Sequence, residues 1–170
     1  PNLSTSCCVG NTSLVNETNA IEAQRMISTK LLLPGDEETA IEMFVLMSRV
    51  FETSGQRLEL AQVRRLLASS SFLAVAAFSN GELCGGATGH ILPMTRDPSS
   101  ELFIYDIAVD EEQQRRGIGR QIIETMLSEA NARGVSVAFV PADNEDEHAL
   151  RFYENIGGTG APVTIFTFER

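Results

Sequence analysis

Apolar positions recur along this chain with two different periods, and the change of period divides it into elements. From Asp36, placed to cap a first turn, Ile41, Phe44, Met47 and Phe51 follow at helical spacing. Ser54-Gly55 breaks that pattern, and Leu60, Val63, Leu66 and Leu67 restart it as a second helix. Phe72 to Phe78 is then an unbroken apolar run, Asn80-Gly81 is a strong hairpin dipeptide, and Leu83 to Leu92 follows as the returning strand. After a loop from Pro93 to Pro98, Leu102 to Val109 supplies the third strand of this meander. Ile122, Ile123, Met126, Leu127 and Ala130 mark one face of a helix over Gln121 to Arg133, stopped by Gly134. Val135 to Val140 reads as a buried strand. Asn144 and Glu147 have capping-box spacing and open a last helix that ends at Gly157-Gly158; Val163 to Phe168 reads as a closing strand.

Ahead of these elements, Lys30 to Leu33 is a short apolar run ended by Pro34-Gly35, which predicts a first strand and turn. Residues Pro1 to Ile27 are rich in Ser, Thr and Asn without strong periodicity, and read as a mobile polar arm with a short helix over Ile21 to Met26. Residues 28–170 are expected to form a single domain. A two-residue hairpin joins only antiparallel strands, whereas the strand-helix-strand step from Leu102 to Val140 suits a right-handed crossover and a parallel pair. The predicted fold class is therefore α/β of the α+β type: a mixed, mostly antiparallel sheet with helices on both faces.

Composition narrows the function classes. The 170 residues are 43% hydrophobic, enough to bury a core, and this excludes disorder over the whole length. No apolar run approaches the roughly 18 residues of a membrane span, and no basic segment followed by an apolar stretch marks a secretory leader. Three cysteines do not make a disulfide framework, and neither they nor His90 and His148 have metal-ligand spacing, so no metal and a cytoplasmic location are expected. The net charge of -10 argues against a nucleic-acid partner. The same excess acid would draw a small cationic substrate, although it also serves plain solubility. Cys84 is expected to pack as a small apolar residue, and Gly85-Gly86 to mark a bulge or a close approach.

The chemistry concentrates between Phe103 and Arg120. A strand runs into a glycine-bearing turn and directly into a helix, so backbone N–H groups converge at the positive end of a helix dipole, a site for phosphate. Gly117 and Gly119 allow close approach of an anion, and Arg115, Arg116 and Arg120 concentrate positive charge in an acidic chain. The competing reading of the turn alone is an ordinary helix start with surface arginines. A P-loop is excluded because no lysine follows, and a dinucleotide fingerprint because Ile122 stands where its third glycine belongs.

Gln114-Arg115-Arg116-Gly117-Ile118-Gly119 resembles the Q/R-x-x-G-x-G/A signature of the GNAT acyl-CoA-dependent N-acetyltransferases. The preceding Ile107-Ala108-Val109, the order of elements and the later Asn144, Phe152, Tyr153 and Glu154 strengthen the resemblance, which covers about residues 28–170. Tyr105-Asp106-Ile107-Ala108-Val109, the strand Phe72 to Phe78, Ile91-Leu92-Pro93 and Ala142-Asp143 look like the aminoglycoside 3-N-acetyltransferases of the GNAT type, which confer resistance to gentamicin-like drugs. The resemblance implies a splayed parallel strand pair that admits acetyl-CoA, with its pantetheine arm along Ile107 to Val109 and its pyrophosphate on the amides of Arg115 to Arg120. It also implies direct attack in a ternary complex, without an acyl-enzyme.

Site roles carry over in the same way. Tyr153 matches the general acid for the departing thiolate, a role a phenol neutral at pH 7 can fill; a core tyrosine is the alternative. Asp106 is the first candidate for the base that takes the amine proton, with a structural partnership to an arginine or backbone amide as its alternative. Glu101 is a second candidate base or amine anchor. Tyr105, Asp143, Asp146 and Glu52 are candidate contacts for a cationic acceptor, and Glu145 and Glu147 add charge nearby. Polyamine or peptide amines are the alternative acceptors, and a non-catalytic acetyl-CoA-binding module is the rival from another class. Homodimers are common in the family. Asn144-Glu145 and Ser54 to Leu58 depart from the aminoglycoside pattern, which leaves the drug range open.

Overall fold

The computed structural model describes residues 27–53 and 57–169. The expected arm helix over Ile21 to Met26 and the Ser54-Gly55 break lie outside the described residues. The elements are β1 (Ile27–Leu31), α1 (Glu37–Val50), α2 (Leu60–Leu67), β2 (Phe72–Ser79), β3 (Glu82–Pro93), β4 (Ser100–Val109), α3 (Ile118–Ala132), β5 (Val137–Phe139) and α4 (Glu147–Asn155), with a 3-10 turn at Glu111–Gln113. The five strands lie in the order β1-β2-β3-β4-β5, antiparallel throughout except for the parallel pair β4/β5. The mixed sheet with helices on both faces is thus present. No helix among the described residues is long and apolar enough to cross a membrane.

Period-two alternation divides the core. Leu73, Val75 and Ala77 of β2 face α3, where they meet Ile118, Ile122, Ile123 and Met126. Ala74 and Ala76 face the other way, onto Ala40, Ile41, Met43 and Met47 of α1 and Val63 of α2. Small residues on that face let α1 lie close to the sheet. At Gly86 an added Cβ would collide with the Met43 side chain and come within 2.8 Å of the Val75 carbonyl oxygen, so Gly86 marks a close approach as its sequence position suggested. Cys84 is buried, and its thiol donates to the Ala77 carbonyl at 3.4 Å.

Several details differ from the pattern. Strand β5 is Val137–Phe139, shorter than the expected Val135 to Val140, and it is not buried, because it lies at the edge of the sheet with Val137 and Phe139 exposed. The first strand runs over Ile27–Leu31 rather than Lys30 to Leu33, because Asp36 builds a turn there: it accepts from the Leu33 N–H at 3.1 Å and from Lys30 Nζ at 2.7 Å. Asp36 holds the N-cap position of α1, but its carboxylate serves that turn instead of the helix amides. Helix α3 begins at Ile118, three residues before the expected Gln121, because Gly117 caps it in the left-handed conformation at φ +81°. The cap of α4 is Asp146 rather than Asn144; its Oδ1 accepts from the N–H groups of His148 and Ala149, both at 3.0 Å.

The largest difference is at the end of the chain. Val163 to Phe168 pairs with no strand, and its apolar side chains stand in solvent. Strand propensity is a property of the segment, whereas a strand needs a hydrogen-bonded neighbour, and the described residues of this chain provide none.

One irregularity in the sheet positions the site. Opposite β3, Thr88 pairs with Asp106 and the adjacent Gly89 pairs with Ile104, so Tyr105 is an extra residue bulged out of β4. The bulge inverts the facing of everything after it. Before it, Leu102 and Ile104 point into the α3 side of the core; after it, Ile107 and Val109 do so, and Ala108 joins the α1 side. Without the extra residue, Asp106 would follow Leu102 and Ile104 into the apolar layer under α3. With it, Asp106 opens toward α1.

Candidate active site

A cleft of about 740 Å³ lies between α1 and the sheet. Its floor is Thr88 and His90 of β3 with Tyr105 and Asp106 of β4. Its walls are largely apolar, with Ile41, Phe44 and Phe51 on one side and Leu66 and Phe72 on the other. The rings line up across the floor: His90 lies 5.3 Å from Phe72, and Tyr105 meets His90 edge-on at 6.3 Å and Phe103 at 5.6 Å. Asp106 is half-buried, and burial alone pushes its carboxyl above the usual carboxylate range, with no hydrogen bond or nearby cation pulling it back. Neither an arginine nor a backbone amide neutralises it among the described residues. An unpaired carboxylate with raised proton affinity, facing a cleft, has the properties of a general base.

The same strand leads to the second half of the site. Strand β5 accompanies β4 for three pairs, Glu101 to Phe103 against Val137 to Phe139, and stops. From Tyr105 onward β4 is paired only with β3, so the edge of Ile107 to Val109 borders a gap where an extended polar chain can add hydrogen bonds. Gln114 reaches back across this edge, its Nε2 donating to the Val109 carbonyl at 3.1 Å. Asp110 caps the 3-10 turn through the Glu112 N–H at 3.3 Å and forms an ion pair with Arg49, which ties the end of α1 to the end of β4.

The turn then enters α3. Arg115 adopts φ +59° and Gly117 φ +81°. The first helical bond runs from the Gln121 N–H to the Gly117 carbonyl at 3.1 Å, which leaves the amides of Ile118, Gly119 and Arg120 directed out of the helix end. Arg120 donates to the Asn155 carbonyl at 2.8 Å and joins α3 to the end of α4, while Arg116 donates to Gln113. At Gly119 an added Cβ would sit 3.2 Å from the Phe152 ring, so the absence of a side chain there accommodates Phe152 as well as leaving the helix end open. Open amides, Arg115 and a free strand edge fit a long anionic cofactor with a pyrophosphate and a peptide-like arm.

Tyr153 follows Phe152 on α4, with ring centroids 5.1 Å apart. Burial first, and then the neighbouring Asp146 carboxylate, raise its hydroxyl above the usual phenol value, so it stays protonated and able to donate.

The candidate residues fall into four groups. Tyr105 and Asp106 line the cleft, and Gln114 to Arg120 form the turn and the first residues of α3, with Phe152 of α4 packed against Gly119. Asp143 and Asp146 hold local backbone, Asp143 accepting from the Glu145 N–H at 2.9 Å and Asp146 capping α4. Glu101 and Glu52 lie outside the cleft lining: Glu101 pairs with Leu92 and Val137 at the start of β4, and Glu52 sits just past α1 at φ +52°, between two lining residues, Phe51 and Thr53. Sequence reasoning missed His90, Thr88, Phe44 and Phe51. Alternation puts Thr88 and His90 on one face of β3, but only the register with the bulged β4 sets them beside Asp106.

Comparison with known proteins agrees with this fold. Residues 39–157 match the family model of the Acetyltransferase (GNAT) family, and the chain belongs to that family. Among solved structures, it is similar to an aminoglycoside acetyltransferase from an uncultured soil metagenomic sample, with 33% identity, a TM-score of 0.80, and coverage of 85% of this chain and 98% of that one. A second soil metagenomic aminoglycoside acetyltransferase, in complex with sisomicin, has 25% identity and a TM-score of 0.80, over 86% of this chain and 97% of that one. Among curated proteins, the [ribosomal protein bS18]-alanine N-acetyltransferase of Salmonella typhimurium is 33% identical over 63 residues, which are 37% of this chain and 43% of that protein. The chain thus matches less than half the length of that relative. Acetyl transfer from acetyl-CoA is the reaction of the family.

Proposed function

We propose that this chain acetylates the 3-amino group of a gentamicin-like aminoglycoside, by direct attack within a ternary complex with acetyl-CoA, and so confers resistance. The observation that carries the reading is Asp106, an unpaired, half-buried carboxylate at the floor of an open cleft. The near full-length likeness to two aminoglycoside acetyltransferases, one holding sisomicin, supports the acceptor class. The 3-amino position carries over from the resemblance of Tyr105 to Val109.

Acetyl-CoA supplies an activated acetyl thioester. The residues suited to hold it are the free edge of Ile107 to Val109 and the amides of Ile118, Gly119 and Arg120, with Arg115 and Arg116 beside the phosphates. Asp106 takes the proton that the acceptor amine loses as it forms the new amide bond, directly or through one water. Tyr153 gives its hydroxyl proton to the thiolate released when the thioester bond breaks, and proton exchange with solvent restores both groups. Tyr105 and His90 present ring faces to the acceptor. Asp143 and Asp146 contribute negative potential from the loop before α4, alongside their backbone roles.

A second reading, a peptide α-amine as acceptor, is favoured by one observation: the cleft walls are mostly apolar, and Arg57 places a cation among the described lining residues. The alanine N-acetyltransferase relative points the same way. The test is CoA release from acetyl-CoA with gentamicin, sisomicin, kanamycin, spermidine or an alanine-initiated peptide, each against a blank without acceptor. Turnover with gentamicin and product NMR showing acetyl on the 3-amino group are expected. Turnover with the peptide alone would replace the first reading by the second.

A further inference from the structure

The acceptor cleft contains a charge of the wrong sign for a simple polycation. Among its described lining residues, Arg57 is the guanidinium and Asp106 the carboxylate. The chain has 13 basic residues against 23 acidic ones, so a cation has many carboxylates to meet. Arg49, Arg64, Arg120 and Arg151 each pair with one. Arg57 pairs with no carboxylate among the described residues, and it is exposed where it lines the cleft. A guanidinium is a permanent cation, with five N–H donors in a fixed fork and no acceptor.

The position of Arg57 is fixed by its neighbours. Leu58 packs against the core layer formed by α1, α2 and the sheet. Glu59 then caps α2 in a capping box with Gln62, whose Oε1 accepts from the Glu59 N–H at 2.9 Å. Two anchored residues thus follow Arg57 directly and hold the chain against the cleft. Asp106 belongs to the sheet, so the two charges enter the cleft from different layers. Arg57 also lies within Ser54 to Leu58, a segment where this sequence departs from the aminoglycoside pattern.

We propose that Arg57 selects acceptors that carry oxygen atoms opposite the reacting amine, and rejects polyamines. An ammonium group beside Arg57 meets a like charge in a partly enclosed cleft, where solvent screens it less than at an open surface. A hydroxyl or ring oxygen in the same place accepts a hydrogen bond from the fork. The productive acceptor therefore has an amine on one side and oxygens on another, as an amino sugar or aminocyclitol does. It lies with the amine at Asp106 and its oxygens at Arg57. A linear polyamine has no oxygen to offer, and its remaining ammonium groups are repelled. The inference rests on the aminoglycoside reading and adds to it the residue that separates such acceptors from polyamines.

The test uses the full chain with gentamicin and with spermidine, each read by CoA release. The unaltered chain should turn over gentamicin and barely accept spermidine. Arg57→Gln and Arg57→Glu should each raise the kcat/KM ratio of spermidine to gentamicin by about tenfold or more, with an unchanged far-UV circular dichroism spectrum. Arg57→Lys keeps the charge and should leave spermidine rejected. Arg133→Glu makes the same change in net charge as Arg57→Glu, at an exposed residue that follows α3, and should leave the ratio unchanged. A ratio unmoved in Arg57→Glu overturns the proposal, as does an equal shift in Arg133→Glu or ready turnover of spermidine by the unaltered chain. An unaltered chain inactive with gentamicin sinks the aminoglycoside reading, and this inference with it, before any substitution is compared.

Discussion

Asp106 combines two properties that pull against each other, and both can be measured. Burial without a partner raises its proton affinity in the folded chain, so between the unfolded and folded pKa values the folded state binds more protons than the unfolded one. Stability therefore falls as pH rises through that window, which begins at the ordinary carboxylate value, and the cost remains at neutral pH. Replacing Asp106 by Asn should lower kcat by about a hundredfold or more, the usual contribution of a general base. The same variant should melt at a higher temperature than the wild type at pH 7, as a group strained for function is relieved. The acidic limb of the kcat/KM profile, displaced upward from the ordinary carboxylate range, should vanish in the variant; a limb that persists would assign it to another group. Tyr153→Phe tests the acid in the opposite direction. Because the phenol pKa is raised, the hydroxyl is retained well into alkaline solution. Its loss should reduce kcat by about tenfold to a hundredfold with little change in the KM for the acceptor, provided expulsion of the thiolate limits the rate. An unchanged kcat would return Tyr153 to a packing role.

Elements decide which carboxylates are free to act, and α4 illustrates the point. Asp146 caps α4 through two backbone amides, and Asn caps as well as Asp. Asp146→Asn should therefore leave stability within about 0.5 kcal/mol, whereas Asp146→Ala should lose about 1 kcal/mol by chemical denaturation. If Asp146 also serves the acceptor through its charge, Asp146→Asn alone raises the KM for an aminoglycoside; an unchanged KM reduces it to a cap. The sequence could not separate these roles, because the capping-box spacing at Asn144 and Glu147 is as good a pattern as the cap the chain uses. Much else at this scale was legible. Helical periods located three of the four described helices, because those patterns report burial against a neighbouring layer, while cap spacing with a glycine stop located α4 and the Asn80-Gly81 dipeptide located the hairpin. The turn from Gln114 to Arg120 was legible because backbone need, charge and helix start coincide there. The cleft was not, since the facing of Asp106 depends on the one-residue bulge at Tyr105, and a bulge leaves the local apolar pattern of β4 almost unchanged. Val163 to Phe168 shows the converse: its pattern is that of a strand, but no pattern names the partner.

At the scale of the whole molecule, charge and cleft give different instructions. The chain carries a net charge of -10, yet among the described residues the cleft lining holds one carboxylate, Asp106, against one guanidinium, Arg57. A polycationic acceptor would thus be gathered by the summed field of the surface more than held by ion pairs inside. Surface fields are screened over about 10 Å at 0.1 M salt, while a contact at the floor of a partly enclosed cleft is screened far less. The two sources of recognition separate in the salt dependence of the kinetics. For gentamicin, kcat/KM should fall by about tenfold or more between low and near-physiological ionic strength, carried by KM, with kcat nearly constant. An alanine-initiated peptide with a single positive charge should show a much shallower slope, because the surface field acts in proportion to the charge it attracts. Equal slopes for the two acceptors would mean that the acidic surface serves solubility alone, and selection between drug and peptide would then rest on the aromatic walls of Phe44, Phe51, Phe72 and Tyr105.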